Sequence, residues 1–327
     1  LSCRASMSRT FGSPWLVAAL LGAVRWCFVD FSTSQGRPRA GGRTACASSR
    51  AKQPHPANVE GDFYVDHTCI DCDTCRWMAP DTFGRTGAKG PGQSYVYQQP
   101  QGGQQDLAVQ AMISCPTGSI RTWTPLRKTR EILNTFPLRV AERLPNVFHL
   151  GFHSKQSFGA ASYFVTSATE QPLNIMFDSP RYSSKLANLL EAAGGVDLMV
   201  MSHKDDVADH NRWKERFPQM RRVMHSLDVR GPDAWPYIDM TAVEKQLEGD
   251  GPWTLAEGVR VVHTPGHSLG SICLLLASQV TGGDPAIFTG DHLALNGRLG
   301  RLDGFARYGD DLLLQAESMR KLEGCGP

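Results

Sequence analysis

Downstream of about residue 146 the chain alternates short apolar runs with amphipathic stretches. The runs at 162–166, 173–177, 198–201, 259–263, 272–277 and 286–289 are rich in β-branched and aromatic side chains and bounded by turn residues, so each predicts a strand. Helical periodicity falls at 184–193, 208–217 and 310–322. Strands alternating with helices in this way predict two sheets with covering helices. Upstream the pattern is sparser, with strands predicted near 63–65 and 95–97 and a helix over 106–113. Gly, Pro and Gln mark 84–93 and 98–105 as loops, and 124–145 reads as a connection holding a helix broken at Pro137.

The first 57 residues are different again. They hold seven arginines and one lysine against a single acid, Asp30, with many Ser, Ala and Gly. That bias fits a transit peptide, and the ten-residue apolar run from Trp15 to Val24, too short to span a bilayer, fits a signal h-region. A signal followed by a basic, Ser-rich stretch points to a plastid bounded by extra membranes, so an algal plastid is the expected address of a soluble protein. Translated non-coding sequence is the alternative, since the chain begins with Leu1. No later run of eighteen apolar residues predicts a membrane span. A net charge of +2, without basic runs interleaved with aromatics, excludes nucleic acid as an expected partner. The expected organisation is a targeting segment at 1–57, a small unit at 58–123, a linker at 124–145 and a larger domain at 146–327 that lacks its C-terminal end.

Four of the nine cysteines carry a pattern. Cys69, Cys72 and Cys75 form C-x2-C-x2-C, and Cys115 follows 40 residues later, directly before Pro116. Three thiolates at that spacing can grip one face of a cubane cluster and a distant Cys-Pro can close it. Zinc, which favours separated pairs, and a disulfide framework are the alternatives. Together with Asp66, Ala79, Pro80 and the Ser114 to Ile120 stretch, these cysteines resemble a bacterial-type ferredoxin carrying one cluster. Ala79 stands where two-cluster ferredoxins place a further cysteine, which implies one 4Fe–4S cluster ligated by Cys69, Cys72, Cys75 and Cys115 alone.

The larger domain places three motifs in loops after predicted strands, where site residues of layered α/β proteins sit. Thr264, Pro265, Gly266 and His267, followed by Ser268, Gly270 and Ser271, make one, and Thr289, Gly290 and Asp291 another. With His203 after a third strand and Asp178 after a fourth, they resemble the metallo-β-lactamase superfamily in its glyoxalase II-like branch. The resemblance implies an αββα sandwich with a metal site on one rim, in which His203, Asp205, His267 and Asp291 hold one Zn or Fe ion. Asp291, His267 and Asp206 are the expected catalytic residues. The superfamily's His-x-His-x-Asp-His signature is eroded: read from His203, it puts Asp205 at the second histidine, Val207 at the aspartate and Ala208 at the third histidine. An insertion would bring Asp209 and His210 into register instead, but a helix predicted there disfavours it. His149, His153 and His292 are further candidates.

Three functions follow as expectations. One is a metallo-hydrolase acting on a thioester or ester through metal-activated water. Another is a redox sensor or electron carrier whose second domain only binds. The third is an iron-dependent oxidoreductase fed by the cluster. The expected partner is a small-molecule substrate or a redox partner protein.

Overall fold

Alternation of side chains along the strands sorts the larger domain into layers. The computed structural model describes residues 52–87, 92–167, 169, 172–231, 238–296, 301–304 and 308–323. In the cysteine-rich part, β1 (Phe63–Val65) pairs antiparallel with β4 (Ile120–Thr122), and β2 (Phe83–Arg85) with β3 (Ser94–Val96). Helices α1 (Thr74–Met78) and α2 (Gln104–Ser114) complete this unit, and α3 (Thr129–Leu133) follows.

A seven-stranded mixed sheet comes next, in the order β11-β10-β9-β8-β7-β6-β5. Its strands are β5 (Leu138–Ala141), β6 (Leu144–His149), β7 (Tyr163–Thr166), β8 (Asn174–Phe177), β9 (Leu198–Val200), β10 (Arg221–His225) and β11 (Lys245–Leu247). A four-stranded antiparallel sheet holds β12 (Trp253–Ala256), β13 (Val259–His263), β14 (Ile272–Leu276) and β15 (Ala286–Phe288). Tyr163, Val165, Ile175, Phe177, Leu198 and Val200 share one buried core with Val261, Leu274 and Phe288, so the two sheets stack face to face. The intervening residues Phe164, Met176, Met199 and Met224 point the other way, against α4 (Ser184–Ala192) and Trp213 of α5 (His210–Arg216). On the far side Val262, Cys273, Leu275 and Ile287 face Leu322 of α8 (Leu312–Glu323). The period of two thus gives an αββα sandwich preceded by a small α+β unit, the architecture that the resemblance implies. Two short helices, α6 (Ser226–Arg230) and α7 (Ser278–Thr281), and the hairpin of β16 (Leu293–Asn296) with β17 (Arg301–Gly304) complete the described elements.

Several expectations change. The loop expected over 84–93 starts later, because Gly84 and Arg85 belong to β2 and pair with Tyr95 and Ser94. The connection expected over 124–145 is part of the fold, since β5 pairs with β6 and Ile132 and Phe136 are buried in the shared core. The boundary at 57 also moves, because His55 donates its amide to Val65 and Pro54 bridges Asp66. Residues 1–51 of the expected targeting segment lie outside the described residues. The helix expected over 208–217 starts at His210, because Asp209 is left-handed at φ 56° and cannot continue a helix backward. The helix expected over 310–322 starts at Leu312, where Asp311 Oδ1 accepts the amides of Leu313 and Leu314 at 2.9 and 3.0 Å. No helix among the described residues is long and apolar enough to cross a membrane.

The small unit has no core of its own. Phe63, Val65, Met78, Phe83 and Ala108 belong to the same hydrophobic cluster as Phe164, Met199 and Trp213 of the larger domain, joined through Phe136, Leu150 and Phe152.

Candidate metal centres

Cys69, Cys72, Cys75 and Cys115 line one small cavity with Val65, Pro116 and Ile120. All four are free thiols, which removes the disulfide alternative. Burial pushes the Cys72 thiol up to about 12 and Cys75 well above the usual thiol range, and neighbouring cysteines add to it. As thiolates these four sulfurs would need compensating positive charge, which a bound metal group would supply.

The loop that carries the first three cysteines is fixed by its two acids. Asp71 and Asp73 take left-handed φ values of 61° and 69°, which turns the chain around the cavity. Buried Asp71 pairs with Arg85 Nη2 at 2.6 Å and Arg76 Nη1 at 3.0 Å, and Asp73 pairs with Arg76 Nε. The amides of Asp71 and Ser94 each point at Cys69 Sγ from 3.4 Å, hydrogen bonds of the kind that stabilise a charged sulfur.

The larger domain packs directly behind this cavity, against Cys72 and Pro116. Gly159, at φ +92°, lies so close to Cys72 that an added Cβ would sit 2.6 Å from Cys72 Cβ. Thr74 Oγ1 lies 3.3 Å from Cys72 Sγ and 3.0 Å from His153 Nδ1. Gly159→Ala is therefore expected to lower cluster occupancy although no ligand is changed, because strain at φ +92° and the clash with the Cys72 side chain both displace that cysteine. Iron content and visible absorption of the purified variant check this; wild-type occupancy would show that this packing is not needed.

A second cluster of ligating atoms lies on one rim of the sandwich. His203 follows β9, His267 follows β13, and Asp291 sits in the short turn Gly290–His292 after β15. One ligand atom from each of these three lies within 4.8 Å of the others. Asp291 Oδ2 is 3.5 Å from His267 Nε2 and 3.9 Å from His203 Nε2. Such spacings suit donors to one ion at bonds of about 2.0–2.2 Å. His203 Nε2 is buried without a hydrogen-bond partner among the described residues, although Ser202 Oγ lies 2.9 Å from its Nδ1. Asp205 Oδ2 stands 3.8 Å from His203 Nε2 and is partly exposed. Asp206 Oδ2 stands 3.8 Å from His203 Nδ1, with its Oδ1 buried and unbonded.

Charge makes the same point. Burial first, then Asp291 and Asp178 nearby, pushes the Asp206 carboxyl well above the usual range, and burial pushes Asp178 up to about 8. Burial, reinforced by His267, holds His203 down to about 3. A neutral His203 imidazole beside crowded carboxylates makes a site that a divalent cation would relieve.

Asp228 on α6 clamps both histidine loops. Its Oδ2 accepts the Lys204 amide at 2.8 Å and Ser268 Oγ at 2.7 Å, and its Oδ1 accepts the Gly270 amide at 2.7 Å. Gly270 has no room for a Cβ, which would meet Asp228 Cγ at 2.6 Å. Asp228→Asn, which turns an amide donor toward either the Gly270 amide or the Lys204 amide and Ser268 hydroxyl, is expected to weaken metal binding at His203 and His267 about 10- to 100-fold. Metal titration checks this, and an unchanged affinity would show that the loops hold themselves.

The structure therefore gathers His203, Asp205, Asp206, His267 and Asp291 on the rim, and the four cysteines in the cavity. Val207 and Ala208 are fully buried apolar residues, and the Asp209 and His210 alternative is excluded by geometry. Asp209 Oδ2 accepts the Tyr182 amide, and His210 Nδ1 bonds Arg222 Nη1 at 2.9 Å. His292, buried beside His267, has neither ring nitrogen hydrogen-bonded among the described residues. His149 and His153 belong to neither ligand set and pair with each other near the cluster cavity. The roles of Asp228 and of this pair had no signal in the sequence, because each depends on chain segments far apart.

Residues 65–122 match the family described as the 4Fe-4S single cluster domain of Ferredoxin I. No curated protein matches the chain. Among solved structures, TTHA1623 in a di-iron-bound form is similar at 22% identity and a TM-score of 0.38, over 51% of this chain and 83% of that one. The BLEG-1 B3 metallo-β-lactamase is similar at 16% identity and a TM-score of 0.41, over 53% and 83%. A Cronobacter sakazakii metallo-β-lactamase with a HARLDQ motif gives 19% identity and a TM-score of 0.38, over 59% and 77%. Residues 65–122 thus resemble a single-cluster iron–sulfur domain, and the αββα sandwich described above follows them.

Proposed function

We propose that this protein is an iron-dependent oxidoreductase in which a 4Fe–4S cluster, held by Cys69, Cys72, Cys75 and Cys115, supplies electrons to a single iron ion held by His203, His267 and Asp291. The observation that carries this reading is the convergence of two imidazoles and one carboxylate, a donor set that serves mononuclear non-haem iron as well as catalytic zinc, in a chain that also holds the four-cysteine cavity. Val207 and Ala208, at the superfamily's remaining ligand positions, leave no second ion to bridge. When bound, an iron ion there supplies one-electron chemistry matched to the cluster. Asp205, partly exposed at the rim, would serve as a further ligand or as the group that meets substrate. Asp228 holds the two histidine loops at fixed separation, and the shared hydrophobic core fixes the cluster unit against the sheet that carries His203. Freeze-quench spectroscopy of the anaerobically reduced protein tests this. Electron flow between the cluster and a second iron signal supports it, and a silent second site removes it.

A second reading, hydrolysis of a thioester or ester, is favoured by Asp206. Its buried, unbonded Oδ1 and raised carboxyl suit proton transfer at the rim. Zinc at the rim, with thioester turnover lost in Asp206→Asn, would select it.

A further inference from the structure

The cluster-facing side of the larger domain carries two buried imidazoles that neither metal site uses. His149 ends β6, and its Nε2 lies 2.8 Å from His153 Nε2. The surroundings fix both tautomers. His153 Nδ1 is 2.6 Å from the Gly159 carbonyl oxygen, which can only accept, so that nitrogen carries a hydrogen. Neutral His153 then offers a bare Nε2, and His149 Nε2 must donate to it. His149 Nδ1 is left as a bare acceptor, buried and without a hydrogen-bond partner among the described residues.

The donors in this chain all point one way. His149 Nε2–H donates to His153, His153 Nδ1–H faces both the Gly159 carbonyl and Thr74 Oγ1, and the Thr74 hydroxyl is left to donate to Cys72 Sγ. Their positive ends are directed toward the sulfur, where negative charge grows when a cluster takes an electron. Neither imidazole is hydrogen-bonded to a cysteine, because Thr74 stands between them.

We propose that His149 is a proton acceptor coupled to reduction of the cluster: a one-electron reductant adds an electron to the cluster, and one proton from solvent binds His149 Nδ1. The site then takes up no net charge, which in a buried region lowers the cost of reduction. Burial, with His153 alongside, holds His149 well below the usual imidazole range, so before reduction the proton site is vacant. The titratable and charged groups around the pair come from several elements. Tyr163 of β7 faces His149 with ring centroids 5.9 Å apart, is kept neutral by burial, and has Asp178 beyond it. Arg181, whose Nε donates to the His153 carbonyl at 3.4 Å, opposes protonation of His153 and so leaves His149 as the proton site of the pair. Trp77 of α1 packs edge-on to His149 at 4.8 Å and carries no charge.

The test is potentiometric titration of the cluster in the full chain, with dithionite and mediators, followed by visible absorption over the pH range in which the protein stays folded. For one electron, each tenfold change in proton activity moves the potential by about 59 mV, so the wild type is expected to show that slope over part of the range. His149→Phe and His149→Gln are expected to retain the cluster spectrum with a flat profile. A flat wild-type profile, or a slope that persists in both variants, would overturn the proposal. Should the variants lose the cluster, redox-difference infrared spectra of wild-type protein with isotope-labelled histidine decide. An imidazolium band appearing on reduction supports the proposal, and no band overturns it. None of these readings needs the rim site, so failure here and failure of the iron assignment are separate results.

Discussion

Cys72→Ala is expected to give protein with a three-iron cluster or none, the largest single-residue effect in the molecule. Cys72 is buried, lines the cluster cavity and is the cysteine against which Gly159 of the larger domain closes. Alanine removes one of four thiolates, and no other cysteine among the described residues lines that cavity to replace it, since Cys273 is buried in the four-stranded sheet. Loss of a mere outer partner of a metal ligand costs about 10- to 100-fold in affinity, so loss of a ligand should exceed that. Stability should fall too, because the cysteine loop belongs to the hydrophobic core shared with the larger domain and cluster binding is coupled to its folding. Iron content, visible absorption and thermal unfolding check these expectations, and a normal four-iron spectrum in Cys72→Ala would show that the ligand set is wrong.

His267→Ala is expected to empty the rim site and leave the cluster intact. His267 Nε2 is the nitrogen nearest to Asp291 Oδ2, at 3.5 Å, and without it only His203 and carboxylates remain. A first-row ion bound by one imidazole loses its strongest anchor, so affinity should drop by more than about 100-fold. The effect on folding should be modest by comparison, because the loop around residue 267 is also held by Asp228 through Ser268 and Gly270. Metal titration and cluster absorption on the same sample check this. Simultaneous loss of cluster and rim metal would indicate a collapsed fold in place of a missing ligand.

How far the sequence carried depends on whether local pattern or distant contact set each feature. The cysteine set was legible because C-x2-C-x2-C is local, and the strands at 162–166, 173–177 and 272–277 were legible because their buried runs are uninterrupted. β10 was not, since it opens with Arg221 and Arg222. Arg222 is buried there only because Glu244 meets its guanidinium at 3.0 Å and Ala242 accepts from it, partners some twenty residues away. β5 was hidden for a related reason, as its apolar side chains are only partly buried at a sheet edge. At the rim, the motifs around His267 and Asp291 were local enough to read. Asp205 and Asp206 could be placed near His203 by spacing, but only the fold shows both carboxylates 3.8 Å from its ring.

Two iron centres in one chain are the central assignment, and element-resolved metal analysis of anaerobically purified protein tests it most directly. Wild type is expected to hold about five iron atoms per chain and no zinc, with about four remaining in His267→Ala. About four iron atoms in the wild type, with or without one zinc, would contradict the assignment of iron to the rim site.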